Sequence, residues 1–152
     1  MRTVAFSGST RVSPEDEERV RTKAPLIEAD RYVTGGAPGI DIIVAEALMD
    51  ARPDADHIIV IPSAPHNYLA VKALVERGAR PIYMPVEKTH ADAYRARNTK
   101  MVEIAREAHD GRLVAFPRSS EKANPRSGTW MTIRIAKKQG VAISVRRLDH
   151  RW

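Results

Sequence analysis

The sequence contains no cysteine among its 152 residues. This absence excludes a disulfide framework, a thiolate zinc site and a cysteine nucleophile. Aromatic residues are also scarce, at 5%, so few side chains are available on which the bases of a nucleic acid strand could stack. The five histidines do not have the spacing of metal ligands, and we therefore expect no metal site.

Long hydrophobic runs are absent as well. No stretch approaches the roughly 20 apolar residues that a membrane-spanning helix needs. The apolar run at Val4–Phe6 is too short for the core of a signal peptide. We therefore expect a cytoplasmic protein without a membrane partner.

The net charge is positive, +6 at neutral pH, within a chain of which 29% is charged. An excess of basic residues favours acidic partners such as phosphates or nucleic acid. A small domain also carries such a charge merely to stay soluble, so charge alone leaves both interpretations open. The length is that of one domain, large enough to bury a core without disulfides or metals.

Strand-like and helix-like segments alternate along the chain. Short apolar runs predict strands at 3–6, 31–34, 57–61, 81–85, 113–117 and 141–145. Apolar residues at helical spacing predict helices starting near 14 and at 39–51, 66–77, 91–108 and 128–139. This alternation is typical of βαβ units. It predicts an α/β fold, a single-domain Rossmann-like open sheet that is mainly parallel and has helices on both faces. The domain would span 1–145, followed by a basic tail at 146–152.

The stretch 32–41 is the most informative part of the sequence. A β-branched and aromatic run ends in Gly35, Gly36 and, after a proline, Gly39, and a strongly apolar helical segment follows. Such a strand–turn–helix presents bare backbone N–H groups and the positive end of a helix dipole to an anion. Asp41, in the first turn of that helix, could order a ribose hydroxyl of a ligand. The helix dipole is enough to explain an acid at this position, and we assign Asp41 a structural role.

Glycine, hydroxyl and cationic residues recur where other predicted strands end. Since ligands of open α/β sheets lie beyond the carboxyl ends of the strands, we expect these residues at one edge. The candidate ligand-binding residues are Ser7, Gly8, Ser9, Arg11, Gly35, Gly36, Gly39, Arg97, Asn98, Ser127, Gly128 and Thr129. Together they predict a nucleotide or phosphosugar site, although any one of these glycines could serve backbone geometry alone.

Three further features lie near this predicted site. His66 follows a strand and is the one histidine that we place close to it. Trp130, in the first turn of the last helix, is expected to pack in the core rather than to stack on a base. The polar segment 118–127 is long enough to serve as a lid or as a nucleic acid contact.

Four short motifs together resemble one known group of domains. The turn Gly35–Asp41 is similar to the GGA-x-GID turn of the DNA-processing protein A branch of the SLOG superfamily. Ser7–Ser9 resembles the first loop of these domains, Arg97–Asn98 their R-N pair, and 127–136 the S-G-T-x-x-T-x-x-A start of their last helix. The resemblance covers nearly the whole chain in the same order. It implies a small stand-alone nucleotide-binding domain of Rossmann type that forms a homodimer.

The resemblance also bears on catalysis. The related Lonely Guy phosphoribohydrolases carry a glutamate that assists cleavage of an N-glycosidic bond, and Thr132 stands at the corresponding position here. A threonine cannot act as a general base near neutral pH. Glu87, Asp92 and Glu103 are the acids nearest the Arg97 helix, but nothing in the sequence selects among them, and we assign no catalytic residue.

Three functional hypotheses follow from the sequence. The leading one is binding of a nucleotide or nucleotide-sugar, in a sensor or sequestering role and without a cofactor. The second is hydrolysis of the N-glycosidic bond of a nucleotide, as the Lonely Guy resemblance implies. The third is binding of single-stranded DNA in the manner of the DNA-processing proteins.

Overall fold

A computed structural model describes all residues from Met1 to Trp152. Six strands are present: β1 (Arg2–Gly8), β2 (Arg31–Thr34), β3 (Asp56–Ile61), β4 (Arg80–Tyr83), β5 (Asp110–Phe116) and β6 (Ala142–Val145). Five α-helices connect them: α1 (Pro14–Lys23), α2 (Ile40–Ala51), α3 (Tyr68–Glu76), α4 (His90–Glu107) and α5 (Gly128–Lys138). A short 3-10 helix at Ala24–Leu26 follows α1. None of the helices combines the length and apolar character needed to cross a membrane.

All six strands form one parallel sheet in the order β4-β3-β2-β1-β5-β6. This arrangement confirms the predicted α/β fold with a Rossmann-like open sheet. Strand order reverses direction between β1 and β5, which are neighbours in the sheet but far apart in the chain. Such a reversal opens a crevice at the carboxyl ends of the two strands.

Helices cover both faces of the sheet, as predicted. On one face, Met101 and Val102 of α4 and Ile133 of α5 pack against strand residues such as Ala5 and Val33. On the other face, α1, α2 and α3 pack in two adjoining clusters. Neighbouring residues of one strand therefore contribute to opposite faces, as the alternation of side chains in a strand requires.

Two predicted boundaries are wrong at residues that matter for the site. β1 continues through Ser7 and Gly8, which pair in register with Ala115 and Phe116 of β5, so these two predicted loop residues belong to the strand. The long ladder with β5 supplies hydrogen-bond partners that the sequence pattern does not reveal. Helix α3 begins at Tyr68 rather than at His66, because the Asn67 side chain accepts a hydrogen bond from the N–H of Ala70 and caps it.

Residues 146–152 pack against the domain. The N–H of Leu148 donates to the carbonyl oxygen of Pro117 over 2.8 Å, and the side chain of Leu148 is buried. Trp152 packs on Phe116, with ring centroids 5.4 Å apart, while the guanidinium of Arg19 lies 4.2 Å from the Trp152 ring. Apolar and cation–π contacts thus hold a segment whose sequence is mainly basic.

Candidate functional site

A polar cleft of about 380 Å³ lies at the crevice between β1 and β5. Its volume falls at the lower end of the range of small-molecule sites. Only one of the lining residues, Ala37, is hydrophobic. The lining comprises Ser7, Gly8, Ser9, Thr10, Arg11, Ala37, Asp41, Arg97, Asn98, Arg118, Asn124, Ser127, Gly128 and Thr129. Nine of the twelve sequence-predicted residues are therefore brought together.

The segment after β1 forms the first wall and is held by its own hydrogen bonds. The Ser9 hydroxyl accepts from the N–H of Arg11 over 3.0 Å and donates to the Arg11 carbonyl oxygen over 2.8 Å. The carbonyl oxygen of Ser9 accepts from the N–H of Ile40, the first residue of α2, over 3.0 Å. Arg11 itself is exposed at the rim. This wall therefore offers one exposed cation beside a backbone that is held by hydrogen bonds.

The three glycines of the turn, Gly35, Gly36 and Gly39, lie outside the lining, which differs from the ligand contact predicted for them. Gly39 has a φ of +86°, and a Cβ there would lie 2.5 Å from the carbonyl oxygen of Ser9. A side chain at Gly35 would collide with Arg97 and Asp41. The glycines thus allow the turn to lie close to the first wall and to Arg97 of α4. Ala37 is the turn residue that lines the cleft.

Arg97 and Asn98 form the floor of the cleft from α4. Both are buried, with 7% and 4% of their surface exposed. The Arg97 Nε donates to the Asn98 Oδ1 over 2.7 Å, and its Nη1 donates to the carbonyl oxygen of Gly35. Burial lowers the pKa of Arg97, although the charge of Asp41 opposes this effect. Two N–H donors of this predicted phosphate ligand are thus engaged within the protein.

Asp41, to which the sequence analysis assigned a structural role, is the only carboxylate that lines the cleft. Its side chain is buried, with 5% exposed. The Oδ2 accepts a hydrogen bond from the N–H of Ala37 over 3.3 Å, whereas the Oδ1 has no partner. Burial raises the pKa of Asp41 to about 6, against the lowering effects of the Arg97 charge and of the N–H groups of Ala37, Gly8 and Gly35.

The N-terminus of α5 forms the wall opposite the first. The Ser127 Oγ caps the helix by accepting from the N–H of Trp130 over 3.0 Å. The N–H groups of Gly128 and Thr129 make no hydrogen bond within the chain. Both residues line the cleft at the positive end of the helix dipole. Free amides at a helix N-terminus are typical of an anion-binding site.

Arg118 and Asn124, from the segment between β5 and α5, complete the lining and were not predicted. Their position after the carboxyl end of β5 was the available signal. The segment folds into hydrogen-bonded turns: the N–H of Asn124 donates to the carbonyl oxygen of Ser120 over 3.1 Å, and that of Ser127 donates to Asn124 over 3.3 Å. Arg118 is exposed, which leaves its charge available to a ligand.

Two other predicted neighbours lie outside the cleft. Trp130 is half-buried against the core, and its Nε1 donates to the carbonyl oxygen of Ser119 over 2.9 Å, so it packs as expected. His66 lines an adjoining cavity together with Tyr94 and Met131 rather than the cleft itself. Its Nδ1 lies 3.0 Å from the carbonyl oxygen of Ala64.

No residue of the cleft occupies the place of the Lonely Guy glutamate. Thr132 is fully buried in α5, and its hydroxyl donates to the carbonyl oxygen of Gly128 over 2.9 Å. Glu87, Asp92 and Glu103 also lie outside the lining. No cluster of three or more metal-ligating side chains occurs in the structure.

Comparison with known proteins yields one informative likeness. No family model matches the chain, and no curated protein sequence matches it. Among solved structures, DNA processing protein A from Helicobacter pylori is similar, with a TM-score of 0.66 and 21% sequence identity over 97% of this chain and 67% of that one. The likeness shows a shared fold. The structure of the Helicobacter protein was determined to explain how that protein binds single-stranded DNA.

Proposed function

We propose that this chain binds a nucleotide or nucleotide-sugar in the cleft and acts as a sensor or a sequestering protein, as a member of the SLOG superfamily. The observation that carries the proposal is the pair of free N–H groups of Gly128 and Thr129, two residues that line the polar cleft at the start of α5. Arg118 and Arg11 on its rim add positive charge for a phosphate. A binding role without chemistry accords with the buried position of Thr132.

Thermal unfolding and calorimetric titration test this proposal. Nucleoside mono-, di- and triphosphates and ADP-ribose would be screened against the wild-type chain and against Arg118→Met. We expect at least one of these ligands to raise the Tm of the wild type, because a ligand that binds only the folded state stabilises it. Arg118→Met should reduce that shift, whereas the matched control Lys138→Met, in the last turn of α5, should not. Absence of any shift or heat with all four ligand classes contradicts the proposal.

The second candidate is binding of single-stranded DNA, which the structural comparison favours. The supporting observation is the likeness to the Helicobacter protein. Exposed cations also lie in this region. Arg11 and Arg118 line the cleft, and Lys122 and Arg126 belong to the segment between β5 and α5 that begins at Arg118. Phosphates of a strand would contact these side chains. The scarcity of aromatic residues limits base stacking, so this binding would depend mainly on charge.

Fluorescence anisotropy with a labelled oligothymidylate separates this candidate from the first. Binding of a strand through many phosphate contacts falls steeply between about 50 and 200 mM salt. Binding of a single nucleotide involves fewer charges and depends less on salt. The double variant Arg118→Met/Arg126→Met should weaken strand binding, and Lys137→Met/Lys138→Met should leave it unchanged. A strand affinity that does not depend on salt or on the rim cations argues against this candidate.

A further inference from the structure

The cleft has two electrically different ends. At one end, the free N–H groups of Gly128 and Thr129 and the exposed Arg118 favour an anion. At the other end, Asp41 lines the cleft, and its carboxylate oxygen Oδ1 is buried without a hydrogen-bond partner. A polar atom that is buried without a hydrogen bond is costly, and native proteins rarely tolerate one. Asp41 is therefore a candidate for a ligand contact rather than for a purely structural role.

The surroundings of Asp41 restrict what its free oxygen can bind. A phosphate beside it would meet the repulsion of a like charge. A metal cation would lack further ligands, because no cluster of metal-ligating side chains is present and Arg97 already lies nearby. A neutral hydrogen-bond donor remains, and an ionised carboxylate accepts strongly from such a group. The Oδ2 is held by the N–H of Ala37, so the free oxygen is fixed in direction.

We propose that Asp41 recognises a sugar hydroxyl of the ligand, so that the cleft selects phosphorylated sugars or nucleotides with a free hydroxyl. The phosphate then lies at the start of α5 and the sugar at the start of α2. This inference rests on the proposed nucleotide-binding function. It implies that a free ribonucleotide binds better than an internal residue of a DNA strand, which has no free hydroxyl on its sugar.

Asparagine at position 41 would reverse the hydrogen-bonding character of the site. The N–H of Ala37 requires an acceptor, so the amide oxygen of Asp41→Asn should take the place of the Oδ2. The amide NH₂ then lies where the unpartnered oxygen was. The substitution thereby replaces an acceptor with a donor at nearly constant shape.

Calorimetric titration of AMP and UMP, of their 2′,3′-dideoxy analogues and of inorganic phosphate tests this inference. With the wild type we expect removal of the hydroxyls to weaken binding on the order of ten-fold or more, the usual effect of losing a hydrogen bond to a charged group. With Asp41→Asn the ribonucleotides should lose this advantage, while inorganic phosphate should bind at least as well as before. Asp92→Asn, an acid in the first turn of α4 outside the cleft, is the matched control and should behave as the wild type.

The outcomes distinguish the inference from the function on which it rests. Equal affinities for AMP or UMP and their dideoxy analogues, with binding intact, overturn the role of Asp41 and leave nucleotide binding standing. Failure of the wild type to bind AMP, UMP and inorganic phosphate, together with failure of nucleoside di- and triphosphates and ADP-ribose, overturns both. If Asp41→Asn does not fold, as circular dichroism would show, the wild-type comparison of ribose and dideoxyribose ligands decides alone.

Discussion

The guanidinium of Arg97 donates a hydrogen bond to the carbonyl oxygen of Gly35 and so ties helix α4 to the glycine-rich turn. A second donor of the same side chain is occupied by the Asn98 Oδ1. The positive charge that sequence reasoning assigns to a ligand phosphate therefore also holds the protein together. Its loss should be visible in stability even when no ligand is present.

Replacing Arg97 with methionine should destabilise the fold by about 3 kcal/mol, the usual cost of removing one member of a buried charged network. The Gly35 carbonyl oxygen would lose its Arg97 partner, and the Asp41 carboxylate would lose the nearby positive charge. Urea unfolding followed by circular dichroism measures the effect. Arg95→Met, an exposed neighbour on the same helix, should change stability by less than about 0.5 kcal/mol. Similar values for the two variants would contradict the bracing role of Arg97.

The pH dependence of stability should reveal Asp41. Its pKa is about 6 in the folded chain and about 3.9 when unfolded, so the folded state holds the proton more tightly. This contribution to stability is fully present below about pH 4 and is lost as the pH rises through 6, by about 3 kcal/mol in total.

Comparison with Asp41→Asn isolates this contribution, because other titrating groups cancel. The unfolding free energy of the wild type minus that of the variant should fall between pH 4 and pH 7. The charged or polar groups that face Asp41 are Arg97 and the N–H groups of Ala37, Gly8 and Gly35, and none of them titrates in this range. A difference that does not change with pH would show that Asp41 is not buried as described.

The glycine at position 39 should be irreplaceable for steric reasons. Gly39→Ala adds a Cβ 2.5 Å from the carbonyl oxygen of Ser9 at a φ of +86°, and we expect a loss of about 3 kcal/mol or more. Gly140→Ala has a comparable φ of +74° but open space around it, and should cost only about 1 kcal/mol. The difference between the unfolding free energies of the two variants measures how closely the glycine turn packs against the first wall. Equal losses of stability in Gly39→Ala and Gly140→Ala would contradict this close packing.

Two substitutions of Ser127 should separate helix capping from anion binding. Ser127→Ala removes the cap of α5 and should cost about 1 kcal/mol of stability, while the amides of Gly128 and Thr129 remain. Ser127→Asp keeps a capping oxygen and the stability of the helix, but it places a negative charge in the cleft. We expect phosphate binding, measured by calorimetry, to be weakened by Ser127→Asp far more than by Ser127→Ala. The reverse order would argue against an anion at this helix end.

The strand and helix pattern could be predicted because each element carries its own periodicity and its own end signals, as in the glycines before α2. The meeting of the candidate residues at the carboxyl ends of the strands could also be predicted, because ligands of open parallel sheets lie at that edge. Burial was not predictable: Arg97 appears as an ordinary helical cation until α4 packs over the turn. For Asp41 the sequence favoured a structural role over a ribose contact, since a helix dipole explains an acid at that position. Only the packed structure shows that its Oδ1 is buried without a partner.

The first wall and the glycine turn are in direct contact. The carbonyl oxygen of Ser9 accepts a hydrogen bond from the N–H of Ile40, and the backbone of Gly39 lies too close to Ser9 for a side chain to fit. This contact has a kinetic consequence. These two segments are organised before any ligand arrives, so capture there requires little ordering and loses little entropy. Arg11 and Arg118, exposed on the rim, are the groups that must settle onto the ligand. Association of a phosphorylated ligand should accordingly be fast and governed by charge.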